Sequence, residues 1–327
     1  MLTEVALTPQ VFDPENNPDT EPWLGCISEL GHGFFPRGGA PPVMVANLQD
    51  GGWAGEVKNA VGRITDHRAR VRVQQLASRL KEIVIDRPSV NYWPDGEEGW
   101  ANEAVASHKF EPIGRIVLTD GFGESYQPSA GKCCTLKQTC QDTFWEGIQS
   151  SGPVPMNIGQ QVALLRPVCA HAHYLVLKLP HVRGSRDDET PFAAALFESA
   201  FRRSARFQPV QAELHVSGEG LQGRALTNTV SNIHSSLAQA LPRGSEVLLC
   251  LRPRFIDRKL VAGILTKSAG QVLRAPRWAI SFDHVARPHD NRSDATWSLI
   301  APQNLAALAK DLDMNATSLL DRRMLHF

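Results

Sequence analysis

The sequence predicts an α/β protein made of two parts with opposite charge. Of its 327 residues, 42% are hydrophobic and 21% are charged, a composition that supports a folded core. Residues 1–160 hold 13 Lys and Arg against 20 Asp and Glu, whereas residues 161–327 hold 21 against 14. Short apolar runs alternate with segments of helical periodicity, which is the pattern of an α/β layer. We therefore expect an acidic domain over 1–150 and a basic domain over 151–327.

The acidic N-terminal part mixes helices with few strands. Residues 9–42 hold seven of the 22 Pro, so an irregular segment is expected there. Beyond it, apolar residues recur at helical spacing in several windows. The predicted elements are a strand over 43–48, helices over 53–64, 67–84 and 98–107, a strand over 115–119 and a helix over 135–149.

The C-terminal part alternates more regularly between strands and helices. Residues 174–179 are almost all apolar, which is typical of a strand buried on both faces. Thr190-Pro191 supplies an N-cap and a Pro at the first helical position, so a helix is expected to begin there. The other predicted elements are strands over 210–216, 247–251, 255–265, 278–282 and 297–300, with helices over 226–241 and 302–313. This order predicts a largely parallel sheet.

Composition also bears on where the protein works. No apolar run approaches the ~18 residues that a membrane-spanning helix needs. The first residues lack the basic start of a signal peptide, and the six Cys are too irregularly spaced to suggest a disulfide framework. We expect a cytoplasmic protein that does not bind membranes.

The first candidate site is Asp257-Arg258-Lys259, on the predicted strand 255–265. Strand alternation places Asp257 and Lys259 on the same face. A carboxylate and an ammonium could hold a divalent metal and a developing phosphate charge, as a metal-dependent nuclease requires. Glu213 and Glu246 are the candidates for the second carboxylate. The alternative is a surface strand of alternating charge.

Residues 174–300 resemble a lobe of the phospholipase-D-like family. An apolar strand, a helix, a strand, a helix and a basic strand follow in that order, and Asp257-Arg258-Lys259 stands where the family has its His-x-Lys pair. Asp replaces the nucleophilic His, Ile264 replaces the family's Asp, and the Gly-Ser-x-Asn segment is absent. The resemblance implies a degenerate, non-catalytic lobe with phospholipase-D-like or Rossmann-like layering, and a role in defence against foreign DNA.

Cysteine and histidine form a second candidate site. Cys169, His171 and His173 alternate at the start of a predicted strand, which would place all three on one face. Cys and His are the ligands that zinc prefers. Half-buried polar positions would explain the same pattern. The cofactor stays open, with a divalent metal as one option.

Two aspartates close predicted strands in the N-terminal part. Asp50 and Asp120 each follow a strand and precede a Gly. Catalytic and metal-binding carboxylates of α/β folds lie at such positions, although Asp also caps turns there. The pair is a further candidate for phosphohydrolase chemistry.

Arginine gives the clearest indication of a partner. The basic half holds 17 Arg and only 4 Lys, and Arg suits bidentate contact with phosphate. Because many of these Arg lie near predicted element ends, several could converge on one phosphate-binding patch. The residues expected to contact nucleic acid are Arg202, Arg203, Arg252, Arg254, Arg258 and Lys259.

The leading hypothesis is a nucleic-acid-binding protein, or a subunit of a nucleic-acid complex, with a non-catalytic basic lobe. The alternative is a metal-dependent nuclease or phosphohydrolase. A third hypothesis is a protein-interaction subunit whose opposite charges meet a partner protein. The sequence leaves open whether the protein is an enzyme.

Overall fold

The computed structural model describes residues 2–17, 20–48, 51–92, 95–126, 132–202, 211–268, 270–313 and 319–327. The chain divides into two compact units, Met1–Gln149 and Ser150–Phe327, called unit 1 and unit 2 below. Each unit combines a β-sheet with helices, which confirms the α/β class. None of the helices in these ranges has both the length and the apolar character that crossing a bilayer requires.

Unit 1 is built around a parallel sheet with strand order β3-β2-β1-β4-β5. Its elements are β1 Thr3–Leu7, α1 Thr20–Phe34, β2 Val43–Asn47, α2 Trp53–Arg63, α3 His67–Leu80, β3 Val84–Asp86, α4 Glu97–Phe110, β4 Arg115–Leu118, α5 Asp120–Gly123, β5 Cys133–Thr135 and α6 Asp142–Trp145. Alternate residues of β1 bury on opposite faces. Val5 and Leu7 pack with α1, α2 and α3, whereas Ala6 packs with α4. The sheet is therefore covered on both faces, as parallel sheets usually are.

Two predictions for unit 1 are wrong. Part of the segment expected to be irregular forms α1, because Trp23, Ile27, Leu30 and Phe34 bury one continuous face that outweighs the low helical propensity of its glycines. The helix expected over 135–149 is replaced by β5, the 3-10 turn Lys137–Cys140 and α6.

A local hydrogen-bond pair explains the second difference. The Thr135 N–H donates to the Gln138 side chain over 2.8 Å, and the Gln138 N–H donates to the Thr135 hydroxyl over 3.4 Å. Such side-chain bonds offer the backbone a tight turn in place of a helix.

Unit 2 holds a mixed sheet with strand order β13-β9-β8-β7-β10-β11-β12-β6. Its elements are β6 Ser151–Pro155, α7 Ile158–His171, β7 Tyr174–Leu179, α8 Thr190–Phe201, β8 Gln211–Ser217, α9 Gly223–Ala238, β9 Glu246–Arg252, β10 Arg258–Ser268, β11 Gln271–Phe282, β12 Asp294–Leu299, α10 Leu305–Asp311 and β13 Asp321–His326. Strands β7, β8 and β9 are mutually parallel, with α8 and α9 as crossovers. The remaining pairs are antiparallel.

The prediction of a largely parallel sheet is thus wrong for unit 2. Five residues, 253–257, connect β9 to β10, and a parallel connection needs a dozen or more. The β10 strand therefore starts at the edge where β9 ends and runs back antiparallel to β7.

The two faces of β7, β8 and β9 differ in polarity. One face carries buried apolar residues such as Leu177 and Leu214. On the other face Lys178 is paired with His215, and His215 with Cys250. Helix α10 packs against this second face through Leu305 and Leu308, beside Val176 and Val261.

Candidate functional site

The parallel strands of unit 2 end together at one edge of the sheet, called the carboxyl edge below. Loop 253–257 leaves β9 there and leads to β10, three positions away in the strand order. Three strand spacings amount to about 14 Å, and the six Cα–Cα steps from Arg252 to Arg258 span at most about 22 Å. The loop crosses the ends of β8 and β7, where Arg254 contacts Glu219 just after β8 and Phe255 contacts Lys178 of β7. Ligands of α/β sheets bind at this edge.

The loop presents a cation and apolar side chains to solvent. The Arg254 side chain is 72% exposed and Ile256 is 75% exposed. Phe255 lies beneath the Lys178 ammonium, with Nζ 4.8 Å from the ring centroid. The Arg254 Nε is 3.4 Å from Glu219 Oε2, an exposed pair of little energetic weight. Arg254 is therefore available to a ligand at the carboxyl edge.

Asp257 lies between two ammonium groups. Its carboxylate is 3.1 Å from Lys178 Nζ and 2.8 Å from Lys259 Nζ, and the two lysines are paired across β7 and β10. Although partial burial opposes ionisation, hydrogen bonds from Lys259 and Lys178 lower the pKa of Asp257 below its usual value. Like charges opposite each other on neighbouring strands are destabilising, so Asp257, together with Asp311 at 3.5 Å from Lys178 Nζ, offsets the charge of this lysine pair.

The structure does not bring a second carboxylate from the predicted set to Asp257. Glu213 is paired with Arg274, at 2.5 Å. Glu246 starts β9 at the opposite edge of the sheet, where it contacts His326 at 2.9 Å. Asp257 and Lys259 are thus together, as predicted, but without the partner that the metal hypothesis assumed.

Two of the predicted contact residues are buried. Arg252 is 5% exposed and donates from Nε to His215 Nδ1 over 2.6 Å. Arg258 is 8% exposed and donates to Glu189 Oε1 over 2.6 Å and to the Asp283 carbonyl over 2.8 Å. These guanidinium groups use their donors within unit 2, so they hold the carboxyl edge in place and do not project from it.

Of the two remaining predicted arginines, the structure describes Arg202. Arg202 follows α8, which leads from the end of β7 towards the start of β8, and it pairs with Glu198 at 2.9 Å. It therefore lies towards the edge opposite Arg254. Arg203 lies outside the described residues.

A buried network that the sequence analysis did not identify lies on the polar face of the sheet. Glu213, His215 and Cys250 are all buried, and their potential ligand atoms lie within 4.8 Å of one another. The sequence offered one signal for it. Glu213 and His215 are polar residues that alternate with the apolar residues of β8, and both are buried.

The donor set of this network is already occupied by protein groups. Glu213 contacts Arg274 through one oxygen and His215 Nε2, at 3.2 Å, through the other. His215 Nδ1 accepts from Arg252. Burial raises the pKa of the Cys250 thiol to about 12. A cation would have to displace two guanidinium groups, so the residues as arranged do not fit a bound metal.

The state of His215 leads to a pH prediction. Burial lowers its pKa, as do the Arg252 and Lys178 charges, and together they outweigh the opposing effect of Glu213. Since Nδ1 accepts from Arg252, the neutral ring carries its proton on Nε2, which faces Glu213. The unfolded state then binds more protons as the pH falls below about 6.5. We expect the free energy of unfolding to be highest above about pH 6.5. It should decrease as the pH falls from there towards the lower pKa that His215 has in the folded protein.

Urea unfolding at about pH 7.5 and about pH 5.5 tests this. His215→Asn, which keeps an acceptor for Arg252, is expected to shrink the difference between the two pH values. His181 and His284, whose pKa values burial also lowers, supply the remainder. An unchanged difference in the variant would contradict the assignment.

The prediction that Cys169, His171 and His173 share one face of a strand is wrong. Helix α7 continues to His171, and β7 begins only at Tyr174. Residues two apart on a helix point about 200° apart, so Cys169 and His171 lie on different sides. His173 Nδ1 accepts from the Leu265 N–H over 3.0 Å. Continued helical hydrogen bonding overrides the alternation seen in the sequence.

Of the two strand-end aspartates in unit 1, the structure describes Asp120. It is the first residue of α5, and its Oδ1 accepts from the Lys137 N–H over 2.8 Å. This bond ties the start of α5 to the 3-10 turn Lys137–Cys140, 17 residues further along the chain, and is not the local turn cap that Asp often forms after a strand. Asp50 lies outside the described residues.

Neither the protein-family models nor the curated proteins compared with the sequence match it. The chemistry of the carboxyl edge therefore carries the functional argument. Its distinctive features are an exposed Arg254, a partly exposed Lys259 and an exposed Ile256 on one short loop and the strand that follows.

Proposed function

We propose that unit 2 is a non-catalytic lobe that binds nucleic acid at its carboxyl edge. The observation that carries the proposal is the course of loop 253–257, which sets an exposed Arg254 across the ends of β8 and β7, next to Lys259. The excess of basic over acidic residues in 161–327 favours an anionic partner.

The proposal gives different roles to residues of the loop and of the strand ends beside it. Arg254 and Lys259 contact phosphates, because the guanidinium group of Arg254 and the ammonium group of Lys259 both reach solvent at the carboxyl edge. Ile256 and Phe255 contact base faces, which suits a single-stranded ligand. Arg252 and Arg258 are positioning residues, because the Nε of Arg252 donates a hydrogen bond to His215 and the Nε of Arg258 donates one to Glu189.

The resemblance to the phospholipase-D-like family is part of this proposal. A degenerate lobe of phospholipase-D-like or Rossmann-like layering would keep the basic strand at Asp257-Arg258-Lys259 and lack the nucleophile. Such a lobe would act as a binding subunit of a cytoplasmic complex that defends against foreign DNA. The pairing of the partly exposed Asp257 carboxylate with two lysines supports binding over catalysis.

Binding of the full chain to labelled single- and double-stranded DNA and RNA, across a salt series with EDTA, tests the proposal. Arg254→Ala with Lys259→Ala is expected to weaken binding and to reduce the log–log salt slope by about 0.7–0.9 for each lost phosphate contact. Arg243→Ala with Arg323→Ala is the charge-matched control. Arg243 precedes β9, away from the carboxyl edge, and Arg323 lies on the edge strand β13.

Asp257→Ala separates binding from metal chemistry. It removes a charge that offsets those of Lys178 and Lys259, so phosphate binding is expected to persist or strengthen. Equal effects of the two double variants, or no binding at low salt, would contradict the proposal. The second result would leave the protein-interaction subunit as the explanation.

A metal-dependent nuclease or phosphohydrolase is the second candidate function. Asp257 would supply its divalent cofactor with a ligand, and Glu213, His215 and Cys250 could do so only after Arg274 leaves Glu213 and Arg252 leaves His215. It predicts cleavage when Mg²⁺ replaces EDTA, and loss of that cleavage in Asp257→Ala. Cleavage with these properties would replace the binding proposal.

A further inference from the structure

Two cysteines far apart in sequence meet in unit 1. Cys26 lies on α1, Cys140 ends the 3-10 turn Lys137–Cys140, and their sulfur atoms are 2.8 Å apart. A disulfide bond is about 2.05 Å long. The two sulfur atoms therefore need to approach by less than 1 Å to bond.

Contacts of Trp145 hold the 3-10 turn that carries Cys140 against α1. Trp145, just after the turn, packs edge-on against Phe34 of α1 with ring centroids 5.8 Å apart, and it donates to the Thr139 carbonyl over 2.9 Å. Gly33 makes this possible, because a Cβ there would overlap the Trp145 ring. Cys140 is thus kept beside α1 by contacts that do not involve sulfur.

The geometry points to a redox modification site in which a hydroperoxide converts Cys26 and Cys140 into a reversible disulfide. The site is independent of the nucleic-acid proposal, since both residues lie in unit 1.

The two thiols differ in accessibility, which sets the order of events. Cys140 is exposed and Cys26 is buried. Burial, and then the hydrogen bond with Cys140, raises the pKa of Cys26 to about 12. Cys140 is therefore the sulfur that an oxidant meets first, and Cys26 is the resolving thiol.

The chemistry balances with one hydroperoxide. The Cys140 sulfur attacks the peroxide, an S–O bond forms, the O–O bond breaks, and water leaves, which gives a sulfenic acid. The Cys26 sulfur then attacks Cys140, the S–O bond breaks, and hydroxide leaves with the Cys26 proton as a second water. Two thiols are oxidised by two electrons, and one hydrogen peroxide is reduced to two waters.

Cys133 and Cys134 provide a contrast within the same unit. They are adjacent in β5, so their side chains point to opposite faces of the sheet. Burial raises the pKa of Cys133 to about 11 and that of Cys134 to about 12. Cys133→Ser is therefore a matched control that removes a thiol without touching the proposed pair.

The test treats the reduced full chain with hydrogen peroxide, blocks remaining thiols with N-ethylmaleimide and maps the peptides by mass spectrometry. Trypsin followed by a Glu-specific protease leaves Cys26 in fragment 16–29 and Cys140 in fragment 138–146, each without another cysteine. We expect these fragments to be linked in the wild-type protein and in Cys133→Ser, and separated by dithiothreitol.

Two variants make the result decisive. Cys140→Ser changes an exposed residue, so the protein should fold normally while the link is lost. Cys26→Ser should leave a Cys140 sulfenic acid that dimedone traps. The inference is overturned if wild-type Cys140 is recovered as a blocked thiol, as a sulfinic acid, or linked to a cysteine other than Cys26.

Discussion

Replacing Glu189 by Gln is expected to lower the free energy of unfolding of unit 2 by about 3–5 kcal/mol, the usual cost of breaking a buried ion pair. Glu189 is fully buried, and one of its oxygens is 2.6 Å from Arg258 Nε and 3.0 Å from Arg287 Nη2. Its other oxygen accepts from the His181 N–H over 2.9 Å. The variant keeps the shape of the side chain but leaves Arg258 with an uncompensated charge in the interior.

Urea unfolding of the full chain gives the magnitude, and hydrogen exchange of peptides from β7 and α8 assigns the loss to unit 2. Glu198→Gln is the matched control, because its partner Arg202 is 66% exposed and such surface pairs are worth about 0–1 kcal/mol. A Glu189→Met, Arg258→Met double variant is expected to recover much of the loss, since no buried charge remains. If Glu189→Gln and Glu198→Gln cost the same, the buried pair does not carry the stability assigned to it.

This pair also shows where prediction from sequence ends. The alternation and helix-start signals located β7, α8, β8 and β9 well, because those signals arise from neighbours in the chain. The partner of Arg258 is 69 residues away. A buried arginine and an exposed one have the same letter, so Arg258 and Arg254 could not be distinguished before the strands were assembled.

The direction of the sheet was missed for a similar reason. The sequence showed that strands follow β9, but the order of strands decides whether they return parallel or antiparallel. With β10 placed beside β7, the short loop 253–257 has to cross two strand ends. That crossing creates the candidate site, so the most informative feature of unit 2 is a consequence of topology.

The network of Glu213, His215, Arg252 and Arg274 follows from the same topology. Its members come from β8, β9 and β11, and strand register brings them together on one face. The polar positions in β8 were visible in the sequence, but their partners were not. In contrast, Asp257 and Lys259 do lie together, although Asp257 is in the loop before β10 and not on the strand, because two residues this close in the chain can meet without any long-range pairing.

In unit 1, Arg87→Lys is expected to lower the free energy of unfolding by several kcal/mol, although it keeps the charge. Arg87 and Glu4 are each 1% exposed at the side chain and lie 2.7 Å apart. The Arg87 Nε donates to the Ser107 hydroxyl over 2.8 Å, and Nη2 donates to the carbonyls of Ser107 and Glu111 over 3.1 and 2.6 Å. A single ammonium cannot reproduce this fork, and each buried group left unsatisfied costs about 1–3 kcal/mol.

Ser107→Ala provides an intermediate case, because it removes one acceptor and leaves the other contacts intact. Arg63→Ala is the control, since Arg63 is 48% exposed and its buried partner Asp13 keeps the hydrogen bond from the Glu15 N–H. Urea unfolding should therefore rank Arg87→Lys below Ser107→Ala in stability, and both below Arg63→Ala. An Arg87→Lys variant as stable as Arg63→Ala would mean that the charge alone, and not the planar donor geometry, links the end of β3 to α4.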